Sequence, residues 1–389
     1  MMKIESAAQG LARRLTQQQG NLLRAAVLDD VDEAGDAYRH WAGSVDWEKN
    51  FDAGTYQLLP LLYLNLDRAG VEDANTGRLR GLYRRSWYRN QRLMSNLNSI
   101  AGKLSAAGVD VVLLGDIALL NGLYDLPGAR IVNRLDLLID RDAVTDALGC
   151  LTATGWAAPL LRDDDLTYEP YTDLTDPAGE VLRIHWHPWH RQCADDGYSF
   201  AAFDVRRDCS AASPPVPAHT GLLLHLVANS PEPGEYRLLA DIAATHRLAN
   251  SGEVDWDAAL TLADELRVNM RLYSACACVR SELAASIPEE VLQELGRRTV
   301  SVPERLERRL ARRSAELPDA FFGPLFRLLA EYARYANGSG AARTLANLPA
   351  FLRHHYRTRS IARIVVRVLG NGARRIVRLV TGASVKSPA

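Results

Sequence analysis

Acidic residues run out early in this chain. The last is Glu331, and from Tyr332 to Ala389 there are eleven Lys/Arg and no Asp/Glu. Because the whole chain sums to −1, the part before Tyr332 carries −12, so an acidic body bears a basic tail. That asymmetry points to an anionic surface as a partner of the tail. Cysteine is also scarce. Cys150, Cys193, Cys209, Cys276 and Cys278 are odd in number and form no visible disulfide framework, which fits a reducing cytoplasm. Cys276 and Cys278 lie in an apolar helical run with no second cysteine pair or nearby histidine, so they read as core and not as a metal site. Long apolar stretches are lacking too. No uncharged run nears the ~18 residues of a spanning helix, and the opening MMKIESAAQGLARR has no apolar centre, so no signal peptide is expected. Internal repeats and low-complexity tracts are absent.

What is present is an ordinary globular composition over 389 residues, enough for two or three domains with their own cores. Residues 1–100 read as a helical region, with apolar residues at three- and four-residue spacing through Leu22, Leu23, Ala26 and Val27 and again through Leu58, Leu59, Leu62 and Leu66. Ser44, Val45 and Asp46 before Trp47 predict a helix start. Residues 78–100 read as a long amphipathic helix. The pattern changes over 101–210. Short apolar runs at 109–114, 135–139 and 182–186 predict strands, 117–123 a helix, and 143–154 a helix closed by Gly155. A Ser/Pro-rich linker follows at 210–217. Residues 218–345 return to helix, predicted at 219–228, 236–250, 256–268, 270–286 and 288–298. Residues 346–389 form the basic amphipathic tail. Helical regions flanking a small sheet with helices make an α+β fold.

The stretch 111–140, VVLLGDIALLNGLYDLPGARIVNRLDLLID, reads strand, glycine turn, helix, turn, strand. Nucleotidyl transfer uses such a layout. Carboxylates on adjacent strands hold two Mg²⁺ ions at the attacking and leaving oxygens. Two of them stand as D-x-D, because alternate strand residues share a face. A glycine turn lets backbone amides reach the triphosphate.

Three blocks carry a family resemblance in order: Leu113-Leu114-Gly115-Asp116-Ile117-Ala118-Leu119, then Leu123-Tyr124, then Arg130-Ile131-Val132-Asn133-Arg134-Leu135-Asp136-Leu137-Leu138-Ile139. Further on stand Leu182-Arg183-Ile184-His185-Trp186, Leu222-Leu223-Leu224-His225, Leu239-Ala240-Asp241-Ile242-Ala243 and Asp255-Trp256; upstream stand Asp46-Trp47 and Leu59-Pro60-Leu61-Leu62. Together they resemble an uncharacterised nucleotidyltransferase family of bacterial proteins, a branch of the polymerase-β-like superfamily, over roughly residues 40–290. The resemblance implies a nucleotidyltransferase-like small mixed sheet, transfer from an NTP, and Mg²⁺ as cofactor. It also implies a nucleotide-binding set at Gly115, Asp116, Arg130, Arg134, Arg183 and His185, with Asp136 as catalytic residue and metal ligand.

The departures are in the charges. The family lysine falls at Gly115 and its glycine at Asp116. The first carboxylate of D-x-D falls at Arg134 and the third at Arg183, leaving Asp136 alone. Arginine offers only donors and cannot ligate Mg²⁺. Two readings stay open. In one, transfer to an unknown acceptor continues with Asp136 as the remaining ligand. In the other, the domain is a catalytically silent binding or scaffold protein. Its arginines there pair with Asp136 and Asp116, or grip a phosphate in bidentate fashion.

Other candidates read more plainly. His185, His187 and His190 suit Zn²⁺ by type, but two on one strand face do not complete a site. A polar rim beside packed Trp186 and Trp189 is the expectation. Asp163, Asp164 and Asp165 read as a solvated loop, and His225 and Asp241 as hydrogen-bonded helix residues. The tail interleaves arginines with Ile361, Val365, Leu369 and Val377, which suits an anionic membrane surface at the inner face or a protein partner. It has no aromatic for base stacking beyond Tyr356, which argues against nucleic acid there.

Overall fold

A computed structural model of the chain describes residues 3–5, 15–162, 164–189, 205–206, 214–229, 238–305, 328, 332, 341–358, 360 and 363. They belong to two compact units. The first comprises Met1–Leu160, Pro170–His190 and Gly197–Val300; the second comprises Leu161–Glu169, Arg191–Asp196 and Ser301–Ala389.

The first unit opens with three packed helices, α1 (Gln17–Val27), α2 (Val31–Gly43) and α3 (Ala53–Ala69). Each starts where a side chain accepts otherwise orphaned amides: Thr16 in a capping box with Gln19, Asp30, and Asp52. Such a cap stabilises by about 1 kcal/mol. The helix start expected at residues 44–46 is not there. Asp52 takes that role by accepting from Gly54 and Thr55, and Trp47 instead packs edge-on against Trp41 and Phe51. Leu22, Leu23, Trp41, Leu58, Leu59 and Leu62 fill the core between these helices.

Helix α4 (Thr76–Ala106) buries Leu79, Leu93, Leu97, Ile100 and Leu104 along one stripe, which is the 3.6-residue period of a half-buried helix. It leads to β1 (Val112–Leu114), α5 (Gly115–Leu123), β2 (Leu135–Leu138), α6 (Val144–Ala153), β3 (Tyr171–Thr175) and β4 (Val181–His185). The sheet order is β1-β2-β4-β3, with β2 and β4 parallel and the outer pairs antiparallel. The short pair β5 (Val205–Arg206) and β6 (Val216–Pro217) forms a second ladder beside β1, where the Pro215 carbonyl accepts from the Leu113 amide at 2.9 Å. Leu135, Leu137, Leu174, Leu182 and Ile184 alternate onto one fully buried sheet face. Helices α7 (His219–Asn229), α8 (Leu238–Asn250), α9 (Trp256–Glu265), α10 (Asn269–Leu283) and α11 (Glu289–Arg297) complete the unit. The mixed small sheet among helices is the expected α+β fold. Cys276 packs fully buried in α10, and burial pushes its thiol up to about 12.

In the second unit, the short helix Asp165–Tyr168 sits against the helix Ala341–His355. Tyr168 packs on Leu328, Tyr332 and Phe351. Most of the basic tail, and His190, Cys193, Cys209 and Asp163, lie outside the described residues. Among the described residues no helix is long and apolar enough to cross a membrane.

Candidate functional site

The second sheet face collects the charges. In register, Asp136 on β2 stands beside Arg183 on β4, and Arg183 stands beside Asp173 on β3; His185 stands beside Tyr171. Because side chains alternate, Arg134, Asp136, Arg183, His185, Asp173 and Tyr171 all fall on this face.

Asp136 is buried and fully engaged. Arg134 Nε donates to Oδ1 at 2.9 Å and to Oδ2 at 3.1 Å. His185 Nε2–H donates to Oδ1 at 3.0 Å. Burial alone would raise the Asp136 carboxyl, but the His185 hydrogen bond and the Arg134 guanidinium outweigh it and hold it well below the usual carboxylate range. Burial lowers the His185 imidazole, against the pull of Asp136, so the ring stays neutral around pH 7.

Arg183 does not reach for Asp136. It binds Asp173 through Nε at 2.6 Å and Nη2 at 2.8 Å, and its guanidinium lies 3.7 Å from the Tyr171 ring centre. Such a fork with a stacked ring uses what only arginine has. The pairing expected between Arg183 and Asp136 is thus replaced by a cross-strand pair ten residues apart. Asp173 and Tyr171 were not singled out in the sequence. The signal for Asp173 was indirect: a cation placed inside a sheet demands an anion on a neighbouring strand. On this face two arginines meet two aspartates, so the formal charge is zero.

Asp116 is likewise not partnered by Arg134 or Arg183. Buried Arg130 holds it, with Nε–Oδ1 at 2.9 Å. The same guanidinium donates to Asp241 Oδ1 on α8 at 2.7 Å and to the Ala240 carbonyl at 2.9 Å. This network ties the start of α5, the 127–133 loop and α8 together. The loop is itself pinned by Asn90 of α4, which donates to the carbonyls of Pro127 at 2.6 Å and Arg130 at 2.7 Å. Gly128 lies under Tyr83, where an added Cβ would meet a ring carbon at 2.4 Å. Gly115 has φ +62°, and a Cβ there would sit 3.0 Å from Asp136 Oδ2. A lysine, which the resemblance implies at this place, would be strained and would crowd the carboxylate.

These residues do not suit a Mg²⁺ pair. Mg²⁺ takes oxygen ligands at ~2.1 Å in near-octahedral order. Here both oxygens of Asp136 accept N–H donors, and the next carboxylate on the face, Asp173, is claimed by Arg183. The histidines of HWHPWH also part company. His185 turns to Asp136, while His187 Nδ1 meets the Trp189 backbone at 3.1 to 3.3 Å. Trp186 and Trp189 are buried beside them, and His225 lies near the Trp189 ring.

The second unit holds another titratable group. Asp164, Asp165 and His354 bring ligand-type atoms within 4.8 Å of one another. Protein cations already serve these carboxylates. Arg162 Nη2 donates to Asp165 at 2.8 Å, and the His354 ring bridges Asp164 at 3.2 Å and Glu169 at 3.1 Å. Asp165 is buried, so the solvated loop expected for residues 163–165 is corrected at this position: Arg162 offsets its desolvation.

Among known proteins, no curated protein and no solved structure matches the chain. A family model described as an uncharacterised nucleotidyltransferase matches residues 43–284, a span that includes α3 to α10, the whole charged sheet face and the Arg130 network, and the chain belongs to that family.

Proposed function

We propose that the charged sheet face binds the phosphate of a nucleotide or another phosphorylated ligand without metal, and that the domain is a binding module and not a transferase. Family membership supports the nucleotide as ligand class. Transfer needs carboxylate-held metal at the attacking and leaving oxygens; here the carboxylates are spent on arginine and histidine.

The observation that carries this reading is the state of Arg134. Its Nε is committed to Asp136, while the side chain is 34% exposed and its terminal nitrogens make no bond among the described residues. A guanidinium fixed at one edge and open at the other is a pre-oriented phosphate donor. Two assays test the proposal. Incubation of each nucleoside triphosphate with Mg²⁺ or Mn²⁺ is expected to release no pyrophosphate, and equilibrium dialysis is expected to show binding that Arg134→Ala weakens by about tenfold. Pyrophosphate release by the purified protein, absent in Asp136→Asn, overturns the reading and restores the transferase.

A further inference from the structure

Helix α4 spans 31 residues and carries Arg78, Arg80, Arg84, Arg85, Arg89, Arg92 and Lys103 without one Asp or Glu. That run is unexpected in a part of the chain whose net charge is strongly negative. Several of its cations are spent locally. Arg92 pairs with Glu180, Arg89 Nη2 donates to the Asn133 carbonyl, Arg80 meets the Tyr63 hydroxyl, and Arg78 lies over Phe51. Arg84 and Arg85 are exposed and have no ion pair among the described residues.

Beside them stand two aromatic side chains that face water: Trp87 at 43% exposure and Tyr88 at 69%. Residues three and four apart are neighbours on a helix. Arg84 therefore flanks both Trp87 and Tyr88, and Arg85 flanks Tyr88. Trp87 and Tyr88 thus set two aromatic ring faces at the surface among guanidinium groups. Rings interleaved with guanidinium groups offer base stacking and phosphate contact together.

We propose that this outward face of α4 binds single-stranded nucleic acid, with Trp87 and Tyr88 stacking on bases and Arg84 and Arg85 contacting phosphates. A membrane surface would call for an apolar helix face to insert. The apolar stripe of α4 is already spent on the protein core, with Leu93 and Leu97 at 1% and 0% exposure. The face also leads toward the sheet site. Arg85 is one helical turn before Arg89, whose guanidinium touches the loop that ends in Arg134. The inference stands apart from metal-free phosphate binding at Arg134 and does not depend on it.

The test is fluorescence anisotropy of a labelled oligouridylate with the full-length protein, over a series of salt concentrations, without nucleotide or Mg²⁺. Arg84→Ala/Arg85→Ala is expected to weaken binding and to lower the log–log salt slope by about 1.4, since each single-strand phosphate contact contributes about 0.7. Trp87→Ala/Tyr88→Ala is expected to weaken binding about tenfold or more at unchanged slope. Arg84→Lys/Arg85→Lys keeps the charge and is expected to retain the slope, which separates charge from misfolding. Affinity that none of these variants alters places any binding on the basic tail and overturns the proposal. So does a labelled duplex RNA bound as tightly as the single strand. Capture by phosphatidylglycerol vesicles that depends on Trp87 and Tyr88, with no oligouridylate binding, overturns it in favour of lipid.

Discussion

Arg134, the residue just before β2, donates its Nε to both carboxylate oxygens of Asp136, two residues further on. The family resemblance implies two carboxylates at these two places, close enough to share a metal. Like charges so placed repel unless a cation lies between them. In this chain the cation is covalent. At position 134 the arginine is itself the counter-cation to Asp136, and Arg183 with Asp173 repeats such a pair one strand away.

Removing Asp136 is therefore expected to destabilise the fold. Asp136→Ala leaves Arg134 and His185 without their shared acceptor. The loss is about 2–3 kcal/mol, toward the low end for a broken pair because Arg134 is partly exposed. Urea denaturation in the presence of EDTA measures it. In a cluster of repelling carboxylates the same change would relieve repulsion and raise the midpoint, so an increase contradicts the pairing.

Stability is expected to depend on pH with opposite signs in the two units. Asp136 sits below its unfolded value of about 3.9, so its contribution is complete above that pH. It is lost as pH falls through the folded value. His185 is also depressed, so below about pH 6.5 the unfolded chain takes up a proton that the folded chain refuses, again favouring unfolding in acid. For His354, burial would lower the imidazole, but hydrogen bonds to Glu169 and Asp164 prevail and raise it. Its contribution is complete below about pH 6.5 and is lost as pH rises through the raised value. Arg162 and Asp165 also face this ring. Histidine ring NMR checks both: His354 is expected to titrate above the ordinary range and His185 below it. The reverse order contradicts the assigned contacts.

Arg130 is expected to be the least replaceable charge among the described residues. Arg130→Ala removes the guanidinium that the buried carboxylates of Asp116 and Asp241 share and costs about 3–5 kcal/mol. Arg130→Lys retains the charge but cannot serve Asp116, Asp241 and the Ala240 carbonyl from one fork, so it recovers only part of that loss. Thermal unfolding of both variants decides the order. An Arg130→Ala protein as stable as the parent removes the network from the account.

Much of the scaffold was legible in the sequence. The apolar run ending at Gly115 marked β1, and the leucine-rich run at 135–139 marked β2 despite Asp136, because buried strands are short and mostly apolar. Helix α4 was legible from its stripe. Its observed limits, Thr76–Ala106, extend past the predicted 78–100, since Gly77, Gly102 and Ser105 carry no pattern. Strand β3 was not legible: YTDLT alternates polar and apolar residues over only five positions between turns. With β3 hidden, the partner of Arg183 was hidden as well. The partners of Arg130 lie 14 and 111 residues away, and those of His354 up to 192. Separations of that length are set by how elements pack, which residue spacing alone does not encode. The change of sign at Arg134 and Arg183 was visible at once; where their counter-charges came from needed the sheet register.

Gly115 and Gly128 are expected to resist substitution for different reasons. Gly115→Ala forces a side chain into left-handed backbone, costing about 1 kcal/mol or more, and crowds Asp136. Gly128→Ala meets the Tyr83 ring and displaces the loop that carries Arg130. Adding Tyr83→Ala makes room for the Gly128 methyl, so that double variant is expected to regain the loop position, seen as recovered urea midpoint relative to the sum of the two single changes. Simple additivity of the two losses contradicts the contact.

The most direct test of metal-free phosphate binding is isothermal titration of the full-length protein with ATP, CTP, GTP and UTP, each in Mg²⁺ and in EDTA. At least one nucleotide is expected to bind in EDTA as tightly as in Mg²⁺, and to lose about tenfold in affinity with Arg134→Ala. Binding that appears only with Mg²⁺, or no binding of any nucleotide by folded protein, contradicts the account.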